Sequence, residues 1–317
     1  RQTDRYRVMK QNGASDEEIR RAFNTPREMN VFSYKGAIDT VLTPRDSLLW
    51  QKYFLRCGFM SVDPRNGHTK AYVGGPNFTF FQYDMVATGR RQIGSTIKPF
   101  LYTYAMEEGY TPCDMMLNAQ PVIYDEAGRP WSPRNDGHGR IGEMVDLKWA
   151  LTYSNNWISA RLMEQLSPAT LVRTLHNFGI TNSIDPVISL CLGPCEVSVR
   201  EMVGAYTAYA NHGMRAEPMY VTSIEDANGN VIAEFSSRHS EVISEEAYAK
   251  ILYMLNSVVD SGTANRLRRP PFNLVAEMGA KTGTTNNNSD AWFMEFSPEL
   301  VNGAWVGGDE RYIHFNS

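Results

Sequence analysis

Lys281-Thr282-Gly283-Thr284-Thr285 closes an apolar, strand-like run near the end of this 317-residue chain. A lysine, several hydroxyl side chains and a glycine at the edge of a sheet suit the binding of a carboxylate. Gly283 would let a ligand approach the backbone closely, because it has no Cβ. An ordinary strand end followed by a polar turn is the alternative. The stretch therefore predicts a binding edge only if other reactive residues accompany it.

Ser95-Thr96-Ile97-Lys98 supplies such residues earlier in the chain. A serine hydroxyl is a poor nucleophile unless a base takes its proton. Residues three apart share one face of a helix, so the Lys98 amine can reach the Ser95 hydroxyl. The start of a helix also favours negative charge on oxygen. The alternative is a capping serine followed by a solvated lysine.

Lys98 must be neutral to act as a base, which requires a lowered pKa. A second ammonium, that of Lys281, would lower it. Two such charges about 4 Å apart repel by about 4 kcal/mol at an effective dielectric constant near 20. We therefore expect the two lysines to lie close together.

Ser154-Asn155-Asn156 lies between two helical stretches, Leu147–Tyr153 and Trp157–Gln165. Its hydroxyl could relay a proton to a leaving amine, and its amide could hold a substrate amide. A turn or a helix cap is the alternative, because serine and asparagine are common at both. The occurrence of all three motifs, in this order, favours nucleophilic catalysis by serine. The backbone N–H groups of Ser95 and Thr284 are then the predicted oxyanion hole.

Composition excludes several other classes of function. The net charge of −4 is mild and dispersed, so no nucleic-acid surface is predicted. Six scattered histidines and four cysteines form no metal-binding pattern. Cys191 and Cys195 either pair or remain buried thiols. No apolar run within this sequence is long enough to span a membrane, and no signal peptide is predicted within it, so any export signal is expected upstream.

The pattern of strands and helices predicts a mixed α/β domain built on an antiparallel sheet. Ser15 begins a short helix with a capping box, and residues 31–55 form a connector with a helix near Asp46. An Asn-Gly turn joins the strands Phe59–Val62 and Thr69–Val73 in a hairpin. Helices fill the middle of the chain. Three further strands follow, at Glu277–Thr282, Ala291–Phe296 and Val301–Val306.

These residues resemble the transpeptidase half of the bifunctional, class A penicillin-binding proteins. The similarity covers nearly the whole chain, and its further landmarks are Gly89–Phe100, Trp131–Asn135, Gly193–Tyr206, Asp260–Ala264 and Thr284–Phe293. It implies the penicillin-binding, serine β-lactamase-like fold, with an antiparallel sheet flanked by helices and an all-helical subdomain. It also implies D-Ala-D-Ala transpeptidation through an acyl-enzyme, inhibition by β-lactams, and no cofactor or metal.

The resemblance assigns the site residues. Ser95, Lys98, Ser154, Asn156 and Lys281 would be catalytic. The substrate carboxylate and the oxyanion would be bound by the third motif, which comprises Thr282, Gly283, Thr284 and Thr285. The partners would be a D-Ala-D-Ala donor peptide, an amine acceptor peptide and β-lactams.

The resemblance also implies a domain organisation. Residues 1–30 would be the tail of a glycosyltransferase domain, 31–55 an interdomain linker, and 56–317 the transpeptidase domain without part of its C-terminal edge. The protein would face the periplasm at the bacterial inner membrane, anchored by a transmembrane helix absent from this sequence.

Three alternatives stay open at this point. A serine β-lactamase shares the motifs, but the only piece comparable to the Glu-x-x-x-Asn segment that activates water in the class A enzymes, Glu299–Asn302, follows Lys281 and is in the wrong place. A D,D-carboxypeptidase differs only in using water as the acceptor. A β-lactam sensor would acylate once and stop.

Overall fold

The structure is a computed structural model that describes residues 3–124, 127–135 and 139–315. Most of its helices begin at a capping side chain. Ser15 accepts a hydrogen bond from the Glu18 amide while Glu18 accepts one from the Ser15 amide, which confirms the predicted capping box. Within the described residues the α-helices are α1 (Asp4–Gln11), α2 (Asp16–Asn24), α3 (Pro44–Lys52), α4 (Lys98–Glu107), α5 (Leu147–Thr152), α6 (Asn156–Gln165), α7 (Pro168–Asn177), α8 (Val199–Ala210) and α9 (Glu245–Asp260).

Short 3₁₀ helices lie at Gly94–Ile97, Ile188–Leu192, Asn265–Arg268 and Asn286–Asn288. The strands are β1 (Arg27–Val31), β2 (Ile38–Leu42), β3 (Arg56–Val62), β4 (Thr69–Val73), β5 (Arg91–Gln92), β6 (Met115–Leu117), β7 (Ile123–Tyr124), β8 (Pro130–Trp131), β9 (Met144–Asp146), β10 (Glu196–Val197), β11 (Met214–Ala216), β12 (Ser223–Glu225), β13 (Val231–Glu234), β14 (His239–Glu241), β15 (Gly279–Thr284), β16 (Asp290–Phe296) and β17 (Val301–Gly307).

Strands from both ends of the chain form one five-stranded antiparallel sheet in the order β15-β16-β17-β3-β4. The last strand, β17, pairs with β3 in a register that places Val301 opposite Val62 and Gly307 opposite Arg56. Buried and half-buried residues alternate along β16 and β17, as expected for strands covered by helices. The predicted fold class and the late closure of the sheet are confirmed.

Helices cover the sheet and build the rest of the core. Helix α8 packs against β3, β16 and β17, while α9 packs against β15 and α4. Helix α4 is the centre of the helical part, since every residue from Lys98 to Met106 is buried. The other strands form two-stranded pairs at the periphery or beside the site. A buried helix that begins at Lys98 therefore carries the first motif into the core.

Residues 31–55 dock tightly on the domain through an aromatic cluster, the linker cluster. Phe32 is only 7% exposed, and its ring centroid lies 4.9 Å from that of Phe54 and 5.0 Å from that of Phe81. Tyr34 and Phe80 complete the cluster. Lys52 Nζ also lies 2.6 Å from Glu310 Oε1 at the far end of the chain.

Several predicted boundaries differ from the structure. Helix α3 begins at Pro44, two residues before the predicted Asp46, because the Thr43 hydroxyl caps it and proline suits the first helical turn. Residues Arg27–Val31 form β1, which pairs with β2, whereas the sequence predicted an extended segment at Val31–Tyr34. The first motif begins in a 3₁₀ helix rather than in the α-helix itself.

Candidate active site

Ser95 lies in the 3₁₀ helix Gly94–Ile97, and backbone hydrogen bonds hold this turn from behind. Gly94 N donates to Gly193 O at 3.0 Å, and Ile93 N donates to Cys195 O at 3.2 Å. Gly94 has a φ of +53°, and a Cβ on it would lie 2.4 Å from Thr284 O. Glycine is required here because a side chain would collide with β15. Ser95 is left partly exposed at the wall of a cleft.

The two lysines of the first and third motifs meet at the Ser154 hydroxyl. Lys98 Nζ lies 3.2 Å from Ser154 Oγ, 2.6 Å from Ser154 O and 2.6 Å from Asn156 Oδ1. Lys281 Nζ lies 2.9 Å from Ser154 Oγ and 2.8 Å from Thr282 O. Both lysine side chains are fully buried. The structure therefore brings these residues of the three motifs together.

Burial and the neighbouring Lys98 ammonium hold the pKa of Lys281 well below its ordinary value. The sequence predicted mutual repulsion between the two amines, with the lowered pKa on Lys98. In the structure desolvation and this repulsion both lower the pKa of Lys281, and the lowered pKa of Lys98 stays a prediction. An amine with a lowered pKa releases its proton more readily than an ordinary lysine, which suits it to proton transfer.

Within the described residues, the Ser95 hydroxyl has no hydrogen-bond partner, and its predicted bond to Lys98 is not formed. Three oxygen atoms of Ser154 and Asn156 hold the Lys98 amine instead. The amine must exchange one of them to reach Ser95. Catalytic hydrogen bonds are often long in a free enzyme and tighten when the substrate binds.

The second motif is a strained turn between α5 and α6. Ser154 has a φ of +55°, which costs a residue other than glycine about 1 kcal/mol or more. Asn155 caps α6 by accepting from the Ile158 amide at 2.9 Å and donates to Asn118 Oδ1 at 2.8 Å. These bonds fix the backbone that aims Ser154 at the two lysines.

Strand β15 is an edge strand of the sheet. Its free edge faces the turn Gly94–Ile97 that carries Ser95, which we call the nucleophile turn. Thr285 N donates to Asp290 O across the ladder, so the alternation of antiparallel pairs turns the Thr284 N–H to the free side. A Cβ on Gly283 would lie 2.7 Å from Ile93 O. The close approach that Gly283 permits is thus to the turn that carries Ser95. The Thr284 N–H thus lies on the side of the turn that carries Ser95, and the oxyanion hole of the Ser95 and Thr284 amides stays a prediction.

The cleft between these elements has a volume of about 510 Å³. Its described lining includes Ser95, Ser154, Asn156, Thr282 and Thr284. Hydroxyl and amide groups make up most of this lining, which also includes the aromatic side chains of Trp149 and Tyr153. The cleft is large enough for a dipeptide end, and it offers donors to a carboxylate.

Thr285 makes a different contact from the predicted one. Its hydroxyl donates to Asp290 Oδ2 at 2.8 Å and accepts from Asp290 N at 3.1 Å. It is not among the described residues that line the cleft. Binding of substrate by Thr285 stays a prediction, and the structure gives this side chain a supporting bond instead.

Several residues that contact the site were not predicted from the sequence. Thr263 lines the cleft and accepts a hydrogen bond from Thr282 Oγ1 at 2.8 Å. Asn156 is held by the Arg134 carbonyl and the Asn135 side chain, each at 2.9 Å. These residues belong to segments already noted as landmarks, Asp260–Ala264 and Trp131–Asn135. That similarity was the only signal, since spacing alone does not bring them to the cleft.

Outside the cleft, the cysteines, the metal-ligating side chains and the helices of the described residues bear on the sequence predictions. Cys191 and Cys195 are free thiols, and burial raises the pKa of Cys191 to about 12. The described residues contain no group of three or more metal-ligating side chains. No helix in the described part of the chain has the length and apolar character needed to cross a membrane.

Two family models match the chain. The penicillin-binding protein transpeptidase domain matches residues 57–307, and the penicillin-binding protein middle domain matches residues 1–55. The predicted division of the N-terminal part at residue 30 stays a prediction.

Curated relatives agree with these models. The chain is 33% identical over 262 residues to penicillin-binding protein 2D of Bacillus subtilis, covering 81% of this chain and 38% of that protein. It is 33% identical over 288 residues to penicillin-binding protein 1A of Aquifex aeolicus, covering 87% of this chain and 39% of that protein. The chain thus spans about two fifths of the length of these relatives.

Solved structures show the same fold. Penicillin-binding protein 1A from Haemophilus influenzae superposes with a TM-score of 0.77 at 24% identity, covering 82% of this chain and 44% of that one. PonA1 from Mycobacterium tuberculosis, in complex with penicillin V, superposes with a TM-score of 0.69 at 21% identity, covering 96% of this chain and 82% of that one. The chain therefore belongs to the penicillin-binding proteins, and residues 57–307 form a transpeptidase domain of the class A type.

Proposed function

We propose that this domain is a serine D,D-transpeptidase that cross-links peptidoglycan stem peptides through an acyl-enzyme. The observation that carries the proposal is the Ser154 hydroxyl, which lies 3.2 Å from one buried lysine amine and 2.9 Å from another. This oxygen and Ser95 line the same cleft. The proposed nucleophile and the proposed proton relay therefore line one cavity, and both buried amines are hydrogen-bonded to the relay.

In the acylation step, Ser95 Oγ attacks the carbonyl carbon of the penultimate D-Ala. When the charge of the lysine pair lies on Lys281, Lys98 is a neutral amine and takes the proton of the hydroxyl. As the C–N bond to the terminal D-Ala breaks, a proton passes through Ser154 to the leaving nitrogen. The products are an ester on Ser95 and free D-Ala, so protons and bonds balance.

Two sets of donors would stabilise this reaction. The N–H groups of Ser95 and Thr284 would bind the oxyanion of the tetrahedral intermediate. The hydroxyls of Thr282 and Thr284, which line the cleft, would bind the terminal carboxylate of the donor peptide. Lys281 contributes a positive field when it is protonated, and Asn156 holds Lys98 and a substrate amide.

An amine of a second stem peptide would then attack the ester and regenerate Ser95. Water as the acceptor would make the enzyme a D,D-carboxypeptidase. A β-lactamase needs a base that activates water, but none of the described residues that line the cleft carries a carboxylate. We therefore expect β-lactams to form a long-lived adduct on Ser95. The reaction as proposed uses no cofactor.

The remaining partners are proposals drawn from the relatives. A glycosyltransferase domain would precede this chain in the full-length protein, and a membrane anchor would hold it at the periplasmic face of the inner membrane. No nucleic-acid partner is proposed.

Labelling with a fluorescent penicillin, followed by peptide mass mapping, tests the proposal. We expect one adduct on the peptide that contains Ser95, absent from the Ser95→Ala variant. A folded wild-type protein without label, or label elsewhere, would refute the assignment.

A thioester substrate with and without an amine acceptor tests turnover. A transpeptidase forms the amide product when the amine is present, whereas a carboxypeptidase yields only the acid. A sensor gives a single burst and stops.

A further inference from the structure

The buried carboxylate of Asp290 connects two segments that are far apart in the sequence. Its side chain is fully buried. Oδ1 accepts from Arg91 Nε at 2.7 Å and from Trp305 Nε1 at 3.0 Å, and Oδ2 accepts from Thr285 Oγ1 at 2.8 Å. Three donors thus converge on a single carboxylate at the end of the sheet.

The positions of these donors in the chain matter for the site. Arg91 lies on β5, four residues before Ser95, and Thr285 immediately follows Thr284. Asp290 therefore ties together the segments that carry the two N–H groups of the oxyanion hole. A neighbouring bond reinforces the tie, because Trp292 Nε1 donates to Gln92 O at 2.8 Å.

Fold stability alone does not explain an ion pair at this place. Well-packed apolar side chains often stabilise a protein as much as a buried ion pair does. What a charged, hydrogen-bonded pair adds is a fixed geometry, since each donor has a defined direction. The Arg91 guanidinium is further held over the Trp305 ring, 4.8 Å from its centroid.

We propose that Asp290 and Arg91 are a positioning pair, which sets the separation of the Ser95 and Thr284 N–H groups and thereby the rate of acylation. This inference rests on the proposed function. Neither side chain of the pair is among the described residues that line the cleft, so we expect both to act through the backbone. A misplacement of about 1 Å at a reacting centre can cost about 100-fold in rate.

The first test compares Asp290→Asn with Asp63→Asn. Asp63 is a matched control, because it is also buried and is paired with an arginine, Arg65, at 3.0 Å, but it lies in the β3–β4 hairpin. Saturation kinetics with a penicillin separate the acylation rate constant from the dissociation constant of the non-covalent complex. For Asp290→Asn we expect the rate constant to fall by about 10- to 100-fold, with an unchanged dissociation constant.

Asp63→Asn should leave both constants unchanged, although it lowers the Tm. Wild-type acylation by Asp290→Asn, together with a lowered Tm, would show a purely structural role and overturn the proposal.

A second pair of variants tests the proposal even if Asp290→Asn does not fold. Thr285→Val removes the hydroxyl that ties the loop to Asp290, and Thr285→Ser keeps it. We expect the rate constant to fall in the first variant and to recover in the second. A loss confined to non-covalent binding would instead make Thr285 a substrate contact and contradict the positioning role.

Amide hydrogen exchange measures the positioning of these segments without depending on acylation. We expect residues 93–96 and 284–290 to exchange faster in Thr285→Val than in Thr285→Ser, and equal exchange would overturn the proposal. An unlabelled wild-type protein would refute the proposed function, while this exchange experiment would still test the pair.

Discussion

The Lys281 amine donates to the Ser154 hydroxyl at 2.9 Å, and this bond joins the strand edge to the turn between α5 and α6. Lys98 approaches the same oxygen from the buried helix α4. Ser154 is therefore where all three elements meet. The motif order in the sequence indicates this meeting, but only the fold produces it.

Replacing Ser154 by alanine removes the shared oxygen. Because proton transfer by a positioned group typically contributes 10²–10⁴-fold to a rate, we expect penicillin acylation to slow by about 100-fold or more. Stopped-flow or gel-based labelling measures the rate. Ser47→Ala is the control, since Ser47 lies in helix α3 and its hydroxyl donates to Pro44 O. Equal rates in wild type and Ser154→Ala would exclude the relay.

The lowered pKa of Lys281 makes stability depend on pH. The unfolded chain binds more protons than the folded one at every pH between the lowered value and the ordinary value near 10.4, so stability rises with pH in this window. The slope reaches at most about 1.4 kcal/mol per pH unit. In Lys281→Met this contribution is absent.

Urea unfolding of both proteins at several pH values from neutral to alkaline measures the difference. The free energy of unfolding of the wild type, minus that of Lys281→Met, should increase as the pH rises. A constant or falling difference would mean that Lys281 keeps its ordinary pKa in the folded protein.

Alanine substitutions at Gly94 and Gly109 distinguish the cost of a positive φ from the cost of a steric clash with the added Cβ. Both have positive φ, +53° and +93°, but a Cβ on Gly109 meets nothing within 4 Å. Gly109→Ala should therefore cost about 1–2 kcal/mol. Gly94→Ala should cost about 1–3 kcal/mol more, because its Cβ must displace Thr284 O.

Chemical denaturation measures both free energies of unfolding, and labelling measures acylation. Gly94→Ala should also slow acylation, whereas Gly109→Ala should not. Similar costs for the two variants would mean that β15 moves aside freely and that the nucleophile turn is not held by contact.

The linker cluster predicts that residues 31–55 unfold together with the domain. Phe32→Ala should lower the free energy of unfolding by about 3–5 kcal/mol, the usual range for a buried phenylalanine. Calorimetry of the wild type should show a single transition. Two transitions, with only the minor one sensitive to Phe32→Ala, would show an independent linker.

Much of the fold follows from local signals in the sequence. The Ser15 cap, the Asn66-Gly67 turn and the turn residues between the last strands each predicted an element that the structure contains. Such signals act over a few residues, so they survive without tertiary context. Hairpin β1–β2 was missed because its residues are largely exposed and give no alternation.

The site was predictable as a list of residues but not as a geometry. The Lys98 amine points to Ser154 and Asn156 rather than to Ser95, and the Thr285 hydroxyl points to Asp290. Both directions depend on partners more than 50 residues away or across a loop. Residue spacing describes one helix or strand and cannot choose between such partners.

Around the nucleophile turn, backbone segments pack directly against each other at three glycines. A Cβ on Gly94, Gly193 or Gly283 would collide with Thr284 O, Gly94 O or Ile93 O, respectively. A single added methyl group has no room at any of these contacts. Under the proposed function, substitutions at these three glycines would therefore disturb the acylation site itself as well as the binding of a β-lactam. We expect tolerated substitutions instead among exposed side chains that line the cleft, such as Tyr153 and Thr263.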